Sequence, residues 1–455
     1  MDRLNPPQPD ILGSSYEMIR LDFPDDYEGH VVATLVRYKE QSHGRYAVLY
    51  IHGYNDYFFQ RHVAEFYVSR GISFYALDLR RYGRSLLPHQ TPYFCHSLRE
   101  YYPDIDSAIQ IIKNDGHESI LINAHSTGGL IASLWVDEGN GRDMIAGLIL
   151  NSPYLSSSIP APAAALVMPF LDRMARFSPK MALPLRLSSR YARSLHRTFN
   201  GEWDFDPKWK SISGTRLRFA WLASILAGQQ RINTGLNISL PILVLCSAAS
   251  APFRAKPSQL RVADAVLNVN DIADLSLNLG KNITCIPIPG AVHDVFLSEL
   301  PTRKKAFEHL SQWLATTYAE QFLSSVISSH AVGPGGHSPR SISSLLSKIG
   351  SSEMIPSTPR AMAFRILNTS LSVHTCTGSP MSWALAINLP DNTRTPSNDR
   401  GTCRTAGSAR LAKERGRTIN CMTSAMEAPV QVGLATPART HRILAVEKDA
   451  IQTRS

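Results

Sequence analysis

No run of about 18 or more apolar residues occurs in this sequence of 455, so no segment is able to span a bilayer as a helix. The opening stretch, MDRLNPPQPD, has no apolar signal core, and a soluble, cytoplasmic protein is the expectation. Cysteine is scarce and scattered. The six cysteines stand singly at 95, 246, 285, 376, 403 and 421, without a CxxC pair or metal-ligand spacing. A disulfide-built scaffold and a zinc module are thereby excluded, and neither a metal nor any other cofactor is expected. Cys246 and Cys285 fall within apolar runs, where a thiol acts as a small hydrophobe. The sequons at Asn237, Asn282 and Asn368 carry no weight without secretion.

Negative charge is also short, the formal net charge being +10, but the imbalance is local. Residues 326–455 hold 15 Lys and Arg against 7 Asp and Glu, leaving 32 against 30 for the first 325. Within those 325, positions 152–235 hold 12 basic and 4 acidic residues, so a basic insert sits in an acidic body. A basic face attracts anionic groups, a lipid surface among them. No nucleic-acid partner is expected, because the basic tail is unpatterned.

Runs rich in β-branched and aromatic residues recur at 18–23, 30–38, 46–51, 73–79, 119–124, 145–150, 241–246 and 283–287. The first two pair as a hairpin across 25–29. From the third onward the runs alternate with helix candidates at 61–70, 97–114, 128–137, 271–279 and 302–320. Continuous apolar strands separated by helices predict a mostly parallel, eight-stranded sheet covered on both faces. The alternation lapses between 151 and 231. There Leu166, Val167, Phe170, Leu171, Met174 and Phe177 follow a helical period, and Leu217, Phe219, Ala220, Leu222 and Leu226 form a second apolar group. A helical cap insertion over the strand ends, at about 152–235, is expected within a domain of residues 1–325. Residues 326–455 lack periodicity and are rich in Ser, Thr, Arg, Ala and Pro, so a disordered tail is expected.

Chemistry concentrates at four places. Ala124-His125-Ser126-Thr127-Gly128 lies between a strand and a helix pattern, as in the GxSxG nucleophile elbow with alanine at its first position. Small neighbours suit the strained turn that lifts a serine hydroxyl off the sheet, and the Thr127 amide at the start of the helix suits an oxyanion. Ile51-His52-Gly53-Tyr54-Asn55-Asp56 leaves another strand, where the Tyr54 amide would be the second oxyanion donor; His52 reads as a structural hydrogen-bonding residue. Gly290-Ala291-Val292-His293-Asp294 follows the last strand, which makes His293 the base and Asp294 a turn or surface carboxylate. No carboxylate follows the 241–246 strand until Asp264, the favoured acid, with Asp271 as the alternative. The order serine, aspartate, histidine suits an activated hydroxyl.

With these motifs, and with Asp78-Leu79-Arg80-Arg81-Tyr82-Gly83-Arg84-Ser85, residues 30–320 resemble the α/β-hydrolase family, in its monoacylglycerol lipase and serine aminopeptidase-like (lysophospholipase-like) branch. The departures are Ala-His-Ser-Thr-Gly for Gly-His-Ser-Met-Gly, Asn55-Asp56-Tyr57 for Gly-Glu-His, and a late acid. The resemblance implies a cofactor-free serine hydrolase acting on a carboxylic ester, lipid-like or of medium-sized acyl group, through an acyl-enzyme. It gives Ser126 as nucleophile, His293 as base, Asp264 as orienting acid, and a cap that shapes the acyl pocket; the basic charge of that cap leaves peripheral membrane contact through it open. An acyltransferase, thioesterase or cyclase step remains open, as does a non-catalytic ligand-binding role.

Overall fold

The computed structural model describes residues 5–39, 44–139, 141–157, 161–186 and 189–318, together with two short backbone strands at 418–420 and 440–443. The eight apolar runs form strands of one sheet, extended by a two-residue strand at one edge and by the strands 418–420 and 440–443 at the other. In chain order the elements are β1 (Gln8–Pro9), β2 (Tyr16–Asp26), β3 (Gly29–Tyr38), β4 (Tyr46–Ile51), α1 (Arg61–Val68), β5 (Ser73–Asp78), α2 (Tyr102–Asn114), β6 (Ser119–His125), α3 (Thr127–Glu138) and β7 (Ile145–Asn151). An insertion follows, with α4 (Ala161–Phe177), β8 (Ala182–Arg186), α5 (Arg190–Leu195), β9 (Arg216–Arg218) and α6 (Phe219–Thr234). The chain returns through β10 (Ile242–Ser247), α7 (Val269–Ser276), β11 (Ile283–Ile288) and α8 (Leu300–Thr317), with β12 (Thr418–Asn420) and β13 (Thr440–Ile443) beyond.

The sheet order is β1-β2-β3-β5-β4-β6-β7-β10-β11-β13-β12. Pairing is antiparallel from β1 to β5 and parallel from β5 onward. Strands β4, β5 and β10 are buried at every residue, as expected of a sheet covered on both faces. Alternation divides β4 between two cores. Ala47, Leu49 and Ile51 join Ile105, Ile109, Leu130 and Trp135 of α2 and α3. On the opposite face Tyr50 meets Phe58 at 5.5 Å between centroids, and the α8 ring of Phe307 stacks on Phe66 of α1 at 4.7 Å.

Two compact units divide the chain: Met1–His309 with Ala412–Ser455, and Leu310–Leu411. In the second, the described residues are the last turns of α8 and Tyr318, whose ring meets Trp313 edge-on at 5.7 Å. The expected boundary near 325 and the tail 326–455 lie outside the described residues, apart from strands β12 and β13.

The insertion departs from an all-helical cap, because β8 and β9 pair antiparallel between Ala182 and Arg218. Its first apolar stripe is split. Leu171 is buried against Phe219 and Leu226 of α6, whereas Leu166, Phe170 and Phe177 are 81%, 57% and 74% exposed. Helix α6 continues inward, with Trp221, Ile225 and Ile232 joining the main core. Among the described residues no helix is long and apolar enough to cross a membrane.

Candidate active site

Ser126 stands at the junction of β6 and α3 with φ 53° and ψ −118°, a backbone region costly for any side chain but glycine. Close packing on three sides holds it there. A Cβ at Gly53 would lie 3.0 Å from the Ser126 Cβ, and one at Gly129 would lie 2.8 Å from the Pro153 Cβ. At Gly128 a Cβ would fall onto the His52 carbonyl oxygen and 2.7 Å from that of Ile51. The Ser126 amide donates to the Asn151 carbonyl at 3.0 Å, and the Ser126 carbonyl accepts from Gly129 and Tyr154, each at 2.9 Å. Ala124, where the resembling family has glycine, is buried within β6 between Ile51 and Leu150, so its methyl group is accommodated in the sheet.

His293 lies in the loop after β11, entered through Gly290 at φ 76°. Its Nε2 is 3.0 Å from the Ser126 Oγ, and its Nδ1 is 2.8 Å from the Asp264 Oδ2. The other oxygen of Asp264 accepts from the amides of Val266 and Leu267 at 2.7 and 2.8 Å, which fixes the carboxylate in an acceptor role. A carboxylate on Nδ1 selects the tautomer that leaves the Nε2 lone pair facing the hydroxyl.

The late position of the acid has a simple geometric cause. Residues 251–263 make an excursion closed by a bridge between Ser250 and Asp264, with the Asp264 amide donating to the Ala249 carbonyl at 2.8 Å. Asp264 is thereby returned to the end of β10. The alternative acid, Asp271, lies in the first turn of α7 and accepts from the Asn268 side chain at 2.8 Å; Asn268 itself caps that helix.

Thr127 opens α3, so its amide is one of the helix donors without an intrahelical acceptor. Tyr54 follows the glycine that touches Ser126, and its ring packs on Trp221 of α6 at 4.2 Å. His52 has both nitrogens committed. Its Nε2 accepts from the Leu79 amide at 3.0 Å, which makes Nδ1 the donor to the Gly53 carbonyl at 2.8 Å and the ring a neutral brace.

Several buried groups escaped the sequence. Asp294 is not on the surface: its carboxylate accepts from Asn151 at 2.6 Å, Gln60 at 3.2 Å and the Phe296 amide at 3.1 Å. Burial pushes the Asp294 pKa up, His125 and these hydrogen bonds pull it down, and the net direction is downward. His125 lies 4.9 Å from the His293 ring, and burial drives its pKa down to about 4. Tyr191 of α5 meets His293 edge-on at 5.5 Å and accepts the Asp294 amide at 2.8 Å. Lys210, from the insertion, pairs with buried Asp56 at 2.7 Å. Polar residues in an irregular insertion follow no period, so only the contacts reveal them.

Ser126 is 8% exposed. A cavity of about 710 Å³ lies apart from Ser126, between α4, α6 and the 96–102 turn, with Leu134, Arg176, Ala223 and Ala227 among its walls. Among the described residues no group of three or more His, Cys, Asp or Glu is arranged to hold a metal ion.

Residues 42–297, which span this whole constellation, match the family described as serine aminopeptidase, S33. Similar solved structures include the monoacylglycerol lipase of Paleococcus ferrophilus, at 20% identity and a TM-score of 0.46, covering 66% of this chain and 99% of that one. A soluble variant of monoglyceride lipase from Saccharomyces cerevisiae, in complex with a substrate analog, has 15% identity and a TM-score of 0.48, with 69% and 97% covered. An esterase from Thermogutta terrifontis has 17% identity and a TM-score of 0.42, with 66% and 98% covered. No curated protein matches.

Proposed function

Since the chain belongs to the serine aminopeptidase, S33 family of α/β-hydrolase-fold hydrolases, we propose that it is a serine hydrolase that cleaves carboxylic esters through an acyl-enzyme. One observation carries the reading: the unbroken path from Asp264 through His293 to the Ser126 hydroxyl, at 2.8 and 3.0 Å. In this mechanism His293 Nε2 takes the hydroxyl proton as Oγ bonds to the ester carbonyl carbon. The amides of Tyr54 and Thr127 hold the resulting oxyanion. Collapse breaks the bond to the alcohol oxygen, which receives the proton from His293. Water then repeats the sequence on the acyl-enzyme and releases the acid. Asp264 keeps the tautomer and balances the imidazolium charge.

The substrate is a lipid-like or medium-sized acyl ester, and the insertion supports this choice. Exposed Leu166, Phe170 and Phe177 share helix α4 with Arg173 and Arg176, a combination suited to peripheral contact with a lipid surface. The protein works in the cytoplasm, a setting in keeping with its buried free thiols Cys95, Cys246 and Cys285.

Turnover of p-nitrophenyl esters and labelling by a fluorophosphonate, both lost in Ser126→Ala, are the expected results. Labelling that persists in Ser126→Ala, or no hydrolysis of any ester by the wild type, would overturn the reading.

A further inference from the structure

The loop that carries Tyr54 is not held by the sheet domain alone. Residues 206–211 of the insertion lie along it as a self-bonded turn, in which the amides of Trp209 and Lys210 donate to the Asp206 carbonyl at 3.0 and 2.9 Å. Three consecutive loop residues grip this turn. Asn55, at φ 52°, accepts the Ser211 amide at 2.7 Å and donates to the Ser211 carbonyl at 3.1 Å. The Tyr57 hydroxyl accepts the Asp206 amide at 2.8 Å while its ring meets Trp209 edge-on at 5.1 Å. Between them Asp56 pairs with Lys210, whose ammonium also lies over the rings of Phe59 and Phe205 at 5.5 and 5.7 Å. Asn55, Asp56 and Tyr57 are the residues at which this loop departs from the Gly-Glu-His of the family it resembles. The departure and the gripping turn thus form one feature.

The ion pair is finely balanced. Asp56 is buried, its second carboxylate oxygen has no hydrogen-bond partner among the described residues, and among those residues Lys210 is the cation paired with it. A buried carboxylate deprived of its paired counter-charge is strongly disfavoured and will move toward water, taking the loop with it. Gly53 and Tyr54 are the neighbouring residues, and Gly53 packs so near Ser126 that a Cβ added to it would lie 3.0 Å from the Ser126 Cβ.

The geometry points to residues 206–211 as a strap that holds the oxyanion loop in register with Ser126, with Asn55, Asp56, Tyr57 and Lys210 as positioning residues. Its catalytic consequence rests on the hydrolase reading above; its mechanical content does not. Two variants probe it independently. Lys210→Met keeps the aliphatic stem and removes the charge, and Asn55→Gly tolerates the left-handed backbone while removing the side-chain hydrogen bonds.

Amide hydrogen exchange on the full chain should quicken about tenfold or more in both variants, in peptides covering 53–59 and 204–213 together, with strands β4, β6 and β10 still protected. With a soluble short-chain p-nitrophenyl ester, kcat should fall about tenfold or more while KM changes by less than about threefold, because an amide that holds only the oxyanion acts in the transition state. Combining Asp56→Asn with Lys210→Met removes both charges and should return most of the protection and of kcat. Faster exchange confined to 204–213, or unchanged exchange in both variants, would overturn the strap whether or not the wild type hydrolyses esters. In an active protein, a loss seen in KM alone would overturn the positioning role.

Discussion

A serine hydroxyl is a poor nucleophile at neutral pH unless a base is poised to remove its proton, and the base is useful only in one tautomer. In the proposed mechanism Asp264 supplies that selection, with one oxygen on His293 and the other fixed by two backbone amides. Asp264→Asn should therefore leave the fold intact and lower kcat by about 10⁴, as loss of the correct tautomer does in other triads; steady-state kinetics with a p-nitrophenyl ester would reveal it, and a loss below tenfold would remove Asp264 from the mechanism. His125 gives a second residue-level expectation. Its pKa is lowered by burial from 6.5 to about 4, so the unfolded chain binds the proton first on acidification. The stabilisation is complete above about pH 6.5 and is lost progressively as pH falls toward 4, by up to roughly 3 kcal/mol if the full shift is realised. Urea unfolding at pH 7 and pH 4.5 should show a smaller acid loss in His125→Gln than in the wild type.

At the scale of elements, the elbow exists because β6, α3 and the loop after β4 approach more closely than a methyl group permits. Gly128→Ala would press a Cβ onto two backbone carbonyls that have no flexible side chain to yield. A loss of about 2–4 kcal/mol, with separation of α3 from the β4 loop, is expected from overpacking of this kind; thermal unfolding and fluorophosphonate labelling should both decline. The strands, the elbow and the histidine loop were legible in the sequence because each rests on local pattern: apolar runs, small residues round a serine, a histidine after the last strand. Asp264 was legible only as the first carboxylate after β10, since the excursion that returns it is closed by a backbone bridge. Of the strap, only the Asn55-Asp56-Tyr57 departure showed in the sequence; its partner turn did not. Asn55 and Ser211 are 156 positions apart, and neither lies in a periodic segment. The apolar period of α4 marked a helix, as found, but periodicity cannot tell a face turned to the core from one turned to solvent.

For the molecule as a whole, the proposed reacting groups stand on loops at the ends of the sheet strands, and the insertion places Tyr191 beside His293. The exposed apolar side chains of α4 and the basic residues around them face away from the core. Phe170→Ser with Phe177→Ser should weaken co-sedimentation with anionic vesicles while leaving kcat for a soluble ester within about twofold, since surface substitutions away from packed features have small effects. Equal loss of both would mean that α4 supports the fold instead. The central claim is that one hydroxyl carries the acyl group. Intact-protein and peptide mass spectrometry after rapid quenching with a slowly deacylating ester tests it most directly. The account predicts a single adduct of acyl mass on the peptide containing Ser126, absent in Ser126→Ala; no adduct during measurable turnover, or an adduct on another residue, would contradict it.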